Sequence, residues 1–177
     1  KTIENSEKVM VLAGQMSADD AMLAALRSFS KRSNVILLTE AHSNLADAAF
    51  ITTIDRFLAT LDDESKQWLQ PDLLITVGHN IISRKIKALL RKGDTKHWHV
   101  DISGEGLDTV KKLSKVIPVT PTEFFESMNE GADYPSSTYK ERLLQYHERS
   151  ATAATSYMQH APWSDLTAFA AIHPAIP

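Results

Sequence analysis

The stretch PDLLITVGHNIISRKIKALLRK, Pro71 to Lys92, carries two patterns in succession. Its first half, Asp72-Leu-Leu-Ile-Thr-Val77, is a short apolar run closed by Gly78, which reads as a strand buried on both faces that ends at a turn. The second half has apolar residues at Ile81, Ile82, Ile86, Leu89 and Leu90, the spacing of a helix. A helix over Ile81 to Leu90 puts Arg84 and Lys85 in roughly its first turn. Cations are unfavourable at that positive end of the helix dipole, by about 0.3–1 kcal/mol each. A helix that opens on the carboxyl edge of a strand and places cations there is a candidate anion site, because ligands of open α/β sheets bind at strand carboxyl ends.

The same alternation extends in both directions. Lys8 to Ala13 reads as a strand with Gly14-Gln-Met at its turn. Ser17 is the expected cap of the next helix, with Asp19 and Asp20 in its first turn and Met22, Leu23, Leu26 and Phe29 as its apolar face. Asn34 to Thr39 is a second strand, ending in Glu40-Ala-His-Ser-Asn44, and Phe50 to Leu61 reads as a helix. After the Pro71 strand and its helix come a strand over Lys96 to Asp101, a loop marked by Gly104 and Gly106, and a weak strand near Val116 to Val119. Pro121 to Met128 reads as a helix with Thr120 as cap and Pro121 at the first helical position. Strands alternating with helices call for a parallel sheet with right-handed crossovers, and the predicted fold is α/β, a three-layer Rossmann-like sandwich. The loop Asn129 to Ser137 is the expected boundary, which divides the chain into a domain over 1–130 and a segment over 131–177. Tyr139 to Met158 reads there as an amphipathic linker helix, and Trp163 to Ile176 as an apolar tail that packs on something else.

Length and composition set limits. The 177 residues, 43% hydrophobic, suffice for one domain with a full core. A net charge of −3 gives no global attraction to nucleic acid or anionic membrane. Six cations fall between Arg84 and Lys96, and their plain reading is a solvated helix face. There is no cysteine, so there is neither a disulfide framework nor thiolate chemistry, and a cytoplasmic setting is expected. No run approaches the ~20 apolar residues of a membrane span. The chain opens on Lys1-Thr-Ile and stops at Ala175-Ile-Pro177, which we read as a piece of a longer polypeptide.

Several constellations carry chemistry weakly. The turn Gly14-Gln-Met-Ser-Ala-Asp-Asp has one glycine where a dinucleotide site needs G-x-G-x-x-G. Asp19 and Asp20 also occupy the helix N-terminus that a pyrophosphate requires. Glu40 ends the second strand as a ribose-binding acid would, but far from a good glycine loop. His97 and His99 alternate on a strand and point to one face, yet no third ligand makes them a metal site; sheet-edge or capping histidines are expected. His42 beside Ser43 lacks the G-x-S-x-G elbow of a nucleophile and reads as a polar turn. Asp101 reads as a turn cap. Arg84 and Lys85 remain the candidate substrate-binding residues, since arginine can grip a carboxylate or phosphate with two parallel hydrogen bonds.

The segments Val9 to Met16, Leu38 to Leu45, Pro71 to Thr76, Ser83-Arg-Lys and Trp98 to Asp101, in that order and spacing, resemble the central domain of the 2-succinyl-5-enolpyruvyl-6-hydroxy-3-cyclohexene-1-carboxylate synthase family (MenD), thiamine-diphosphate enzymes of menaquinone biosynthesis. The likeness runs from about Val9 to Val119. It implies a Rossmann-like domain between two others of the same polypeptide, in a homo-oligomer, with thiamine diphosphate and Mg2+ or Mn2+ held by those outer domains. It implies no flavin, and no cofactor or metal in this segment. It implies that the full enzyme decarboxylates 2-oxoglutarate and adds the carbanion to isochorismate, and that this segment is inactive alone. The family's basic pair after the third strand's turn reads Lys-Arg and helps to hold substrate carboxylate; the matching Arg84 and Lys85 have the reverse order. Neither a G-D-G…N stretch nor an activating glutamate is found, and Trp163 to Pro177 resembles the entry into the diphosphate-binding domain. Three other readings stay open: a small-anion or effector-binding module, a purely structural spacer, and the central domain of another thiamine-diphosphate enzyme.

Overall fold

Five-residue runs rich in Val, Ile and Leu, without polar alternation and bounded by turns, suit strands buried on both faces. Three such runs form β1 (Val9–Ala13), β2 (Val35–Thr39) and β3 (Leu73–Val77), every residue of which is buried. With β4 (Lys96–Val100) and β5 (Leu113–Ile117) they make one five-stranded sheet in the order β2-β1-β3-β4-β5, with all pairs parallel. The computed structural model describes residues 3–130 and 134–175. Lys1, Thr2, Ile176, Pro177 and Gly131 to Asp133 of the expected boundary loop lie outside the described residues.

The pleat sends alternate side chains into two cores. On one face Val9, Val11, Ala13, Ile75 and Val77 pack with Met22, Leu26 and Phe29 of α1 (Asp20–Phe29) and Phe124 and Phe125 of α5 (Pro121–Glu130). On the other, Met10, Leu12, Ile36, Leu38 and Leu74 meet α2 (Ile54–Ala59), α3 (Asp63–Leu69), α4 (Arg84–Lys92) and the start of α6 (Tyr139–His160). This is the three-layer α/β sandwich expected from the sequence.

Several boundaries differ from expectation, each for a local reason. The cap of α1 is Asp19, whose carboxylate accepts from Met22 N at 3.0 Å; Ser17 lies outside the helix. The Phe50 to Leu61 segment is helical only over α2. Ile51 instead pairs with β2, accepting from Thr39 N and donating to Leu37 O, which covers part of an edge strand that would otherwise stand open. Helix α3 was not anticipated. It is started by Asp62, which accepts from Ser65 N at 2.7 Å. Helix α4 begins three residues later than its apolar spacing implies. Ile81 is buried as part of the preceding loop, and Ile82 is 66% exposed. Strand β5 lies three residues before its expected start, whereas α5 keeps its Thr120 cap, with Glu123 accepting from Thr120 N.

Helix α6 docks by its first turns. Tyr139 and Leu143 are buried in the second core, and the Tyr139 hydroxyl donates to Leu69 O at 2.8 Å. The Arg142 guanidinium stacks 4.3 Å over the Trp68 ring. Beyond Ser150 the helix leaves the domain surface, and Tyr157, Trp163, Leu166, Phe169 and Ile172 are exposed. The last three lie on α7 (Asp165–Ile172), which opens with a capping box between Ser164 and Thr167.

Candidate functional site

In this strand order the chain leaves β1 toward β2 and returns to β3 on the other side of β1. The switch point, where such sheets bind ligands, therefore lies between the carboxyl ends of β1 and β3. A cavity of about 1220 Å³ opens there, walled by Gln15, Asp19, His42, His79, Asp101 and Thr120 among others. Its loops are bonded to one another. Gly14 N donates to Val77 O, Gln15 N to Asn80 O, Met16 N to His42 O and His79 N to Gln15 O, all between 2.8 and 3.2 Å. The two turns can approach this closely because both are glycine. A Cβ on Gly14 would stand 2.6 Å from His79 O, and Gly78 has φ +73. Phosphate recognition needs those amides free, and here they are spent. Asp19 occupies the start of α1, and Asp101 adds a second carboxylate. Hydrogen bonds from the Ser103 hydroxyl and amide hold the Asp101 carboxyl below its ordinary pKa, against an opposing effect of burial. The residues present do not fit the diphosphate of thiamine diphosphate. Among the described residues no cluster of three or more His, Asp or Glu could hold a metal ion.

One strand over, the end of β2 and the starts of α2 and α4 enclose a second cavity of about 660 Å³, lined by Thr39, Glu40, Arg56, Arg84 and Lys85 among others. His42 forms part of both walls. Arg84 and Lys85 are the first two residues of α4 and are exposed, at the strand-tip end as predicted. Ser83 caps the helix, its hydroxyl accepting from Ile86 N and donating to Asp55. The Glu40 carboxylate, 8% exposed, accepts from Ile82 N at 2.8 Å and Ser83 N at 2.6 Å, with His42 Nε2 3.1 Å away. Glu40 is therefore no ribose ligand. It puts a negative charge on the α4 N-terminus and offsets the cost of two cations there. Among the described residues, Arg84 and Lys85 have no ion-pair partner. The rest of the basic run spreads along α4 and beyond it, Lys87 bonding to Ile81 O and Arg91 to Thr109 O.

His97 and His99 are neither at a sheet edge nor caps. Strand β4 lies inside the sheet and both rings are buried. Thr76 Oγ1 on β3 lies 2.7 Å from His97 Nε2 and 2.9 Å from His99 Nδ1. A hydroxyl has one proton, so it donates to one ring, which is neutral, and accepts an N–H from the other. Burial lowers the His97 pKa to about 4, although Asp108 at 3.6 Å opposes that shift. His99 is lowered too, chiefly by burial. These rings are core groups. Asp101 is the turn cap expected, accepting from Ser103 N.

The sequence reading missed the parts played by Glu40 and Asp55 as clamps on α4. An acid at a strand end, some forty residues before the loop amides that it bonds, leaves no periodic signal.

Comparisons with known proteins agree with this geometry. A family model described as "Middle domain of thiamine pyrophosphate" matches residues 4–177. The chain is 30% identical over 174 residues to the 2-succinyl-5-enolpyruvyl-6-hydroxy-3-cyclohexene-1-carboxylate synthase of Flavobacterium johnsoniae, covering 98% of this chain and 31% of that protein. It is 30% identical over 174 residues to the same synthase of Flavobacterium psychrophilum and 32% identical over 192 to that of Porphyromonas gingivalis, each covered over 32% of its length. The chain thus spans about a third of the length of the curated relatives it matches. A Rossmann-like sheet whose switch point is closed by its own backbone, matched over nearly all of its residues, belongs to the family of middle domains of thiamine pyrophosphate enzymes.

Proposed function

We propose that this chain is the central domain of a synthase that decarboxylates 2-oxoglutarate and adds the carbanion to isochorismate in menaquinone biosynthesis. In this reading thiamine diphosphate and its Mg2+ or Mn2+ are held by the N- and C-terminal domains of the same polypeptide, which assembles as a homo-oligomer. The domain proper covers 1–130, and 131–177 is the connection to the next one. The domain is a scaffold that spaces its neighbours and lends Arg84 and Lys85 to a substrate carboxylate. It has no turnover of its own.

The observation that supports the reading is a pair of cations at the strand tips that have no ion-pair partner among the described residues, on a helix whose start is bonded to the Glu40 carboxylate. Arginine and lysine left unpaired in a cavity suit an anionic ligand better than a fold-stabilising role. Steady-state kinetics of the full-length enzyme carrying R84A/K85A test it. A rise of about tenfold or more in KM for one of the two substrates is expected. Unchanged KM for both removes the pair from substrate binding.

A further inference from the structure

Helix α4 has a cap of its own. The Ser83 hydroxyl accepts from Ile86 N at 3.2 Å, which meets the ordinary need of a helix start. The same start also takes the carboxylate of Glu40, which follows β2 and lies 42 residues before Ile82. Oε2 accepts from Ile82 N at 2.8 Å and Oε1 from Ser83 N at 2.6 Å. The carboxylate is buried, and His42 Nε2 lies 3.1 Å both from Oε2 and from Asn80 O. Asp55 of α2 accepts the proton of the Ser83 hydroxyl. The cap residue is thus tied at its amide from the end of β2 and at its hydroxyl from α2.

Arg84 and Lys85 follow that cap directly. The first turn of a helix lacks intrahelical partners for its amides, and helix ends fray. Two cations at the positive end of the dipole weaken it further. Where Arg84 and Lys85 stand in the cavity that they line therefore depends on what pins Ile82 and Ser83. A carboxylate is costly in this place. It lines the same cavity as the two cations, and its negative charge repels any anion that they attract. A neutral acceptor would avoid the repulsion, but a glutamine offers one acceptor oxygen in place of two.

We propose that Glu40 is a positioning residue for the basic pair: it acts on substrate through the Ile82 and Ser83 amides, by fixing the turn that carries Arg84 and Lys85. The proposal rests on the basic-pair reading above and extends it to a residue that touches no substrate.

Charge and position pull in opposite directions, so the sign of one measurement separates them. Steady-state kinetics of the full-length enzyme carrying E40Q, alone and together with R84A/K85A, tests the proposal on the substrate whose KM the R84A/K85A change raises. A Glu40 that mattered only as a charge would repel the anion, and E40Q would lower that KM. A positioning Glu40 gives the reverse, a rise of about fivefold that appears in KM rather than in kcat. In the R84A/K85A enzyme E40Q raises KM no further, because the pair that it positions is gone. E40D keeps the charge and draws the carboxylate back by one methylene; it raises KM in the same direction and serves equally if E40Q yields no folded protein. KM does not depend on how much of the enzyme is folded, so lost stability alone leaves it unmoved. A KM at or below the wild-type value in either variant, or a rise of the same size with and without Arg84 and Lys85, overturns the proposal and leaves the basic pair in place. An unchanged KM for both substrates in R84A/K85A overturns the basic-pair reading and this proposal with it.

Discussion

Lowering the pH from 7 to 4 protonates His97 in the unfolded chain well before it does so in the folded one. The ring is wholly buried, with Thr76 Oγ1 2.7 Å from Nε2 and Asp108 3.6 Å from Nδ1. Burial lowers its pKa from 6.5 to about 4, and His99, one residue pair away, resists a second charge. The unfolded state therefore binds more protons throughout that interval. The stability is whole above pH 6.5, falls as the pH drops toward 4, and levels below it. At roughly 1.36 kcal/mol per pH unit the full loss is about 3 kcal/mol, of which about 2 kcal/mol has gone by pH 5. Asp47, Asp62, Asp101 and Glu123 have pKa values lowered by their hydrogen bonds. Their contributions are lost at more acid pH, which separates the two windows. His99 and His147, also lowered by burial, add to the His97 slope in the same direction. Urea unfolding at pH 7, 6, 5 and 4.5 measures the loss, and the Hε1 shift of His97 gives its titration midpoint directly. His97→Gln keeps an acceptor for Thr76 and removes the titration, so it flattens most of the slope even if it costs stability at pH 7. A wild-type protein as stable at pH 4.5 as at 7, a His97 midpoint near 6.5, or a variant with the wild-type slope refutes this account of the buried pair.

Glu40→Gln retains the size of the side chain but weakens two charge-assisted bonds to Ile82 N and Ser83 N; a loss of about 1.5–3 kcal/mol in chemical denaturation is expected, and a variant as stable as wild type shows that the clamp on α4 is unimportant. Calorimetric titration of the chain with thiamine diphosphate and magnesium gives no heat, because the loop amides at the switch point are already bonded. Tight, metal-dependent binding contradicts that.

The sequence is most informative where one physical pattern dominates. Val9–Ala13, Val35–Thr39 and Leu73–Val77 are short, nearly continuous apolar runs between turns, the length and pattern of doubly covered parallel strands, so the fold class was legible. The Thr120-Pro121…Glu123 start of α5 was legible too, because a cap is a local bond. Failures occur where a distant partner decides. Ile51 follows helical spacing in sequence but is taken by the free edge of β2. Ile81 and Ile82 continue the α4 pattern, yet the Glu40 carboxylate holds their loop extended until Ser83. His97 and His99 look like surface groups until β4 takes its place inside the sheet with both rings against Thr76 of β3. In the site, Arg84 and Lys85 were readable from their place after a strand and a turn. Glu40 and Asp55 were not, since nothing in linear spacing says that the end of β2 and the starts of α2 and α4 share one cavity.

The two cavities at the carboxyl edge divide one physical problem. A sheet of this order concentrates free backbone amides at β1 and β3, which is why that point usually takes phosphate. Here the glycines that would open the cradle let the two turns approach and bond each other, and Asp19 and Asp101 leave the rim negative. A dianionic phosphate would lose its donors and meet like charge. The neighbouring cavity inverts both terms. Its acids are bonded to the α4 start, and among the described residues Arg56, Arg84 and Lys85 have no ion-pair partner. The inward turn of Glu40 is what makes this arrangement tenable. A helix N-terminus bearing two cations and no counter-charge would be destabilised, whereas one bonded beneath to a carboxylate can carry cations toward solvent. On the proposed reading, the anion-attracting part of this domain lies at the flank of β2 and α4, away from the switch point where the fold alone would put it.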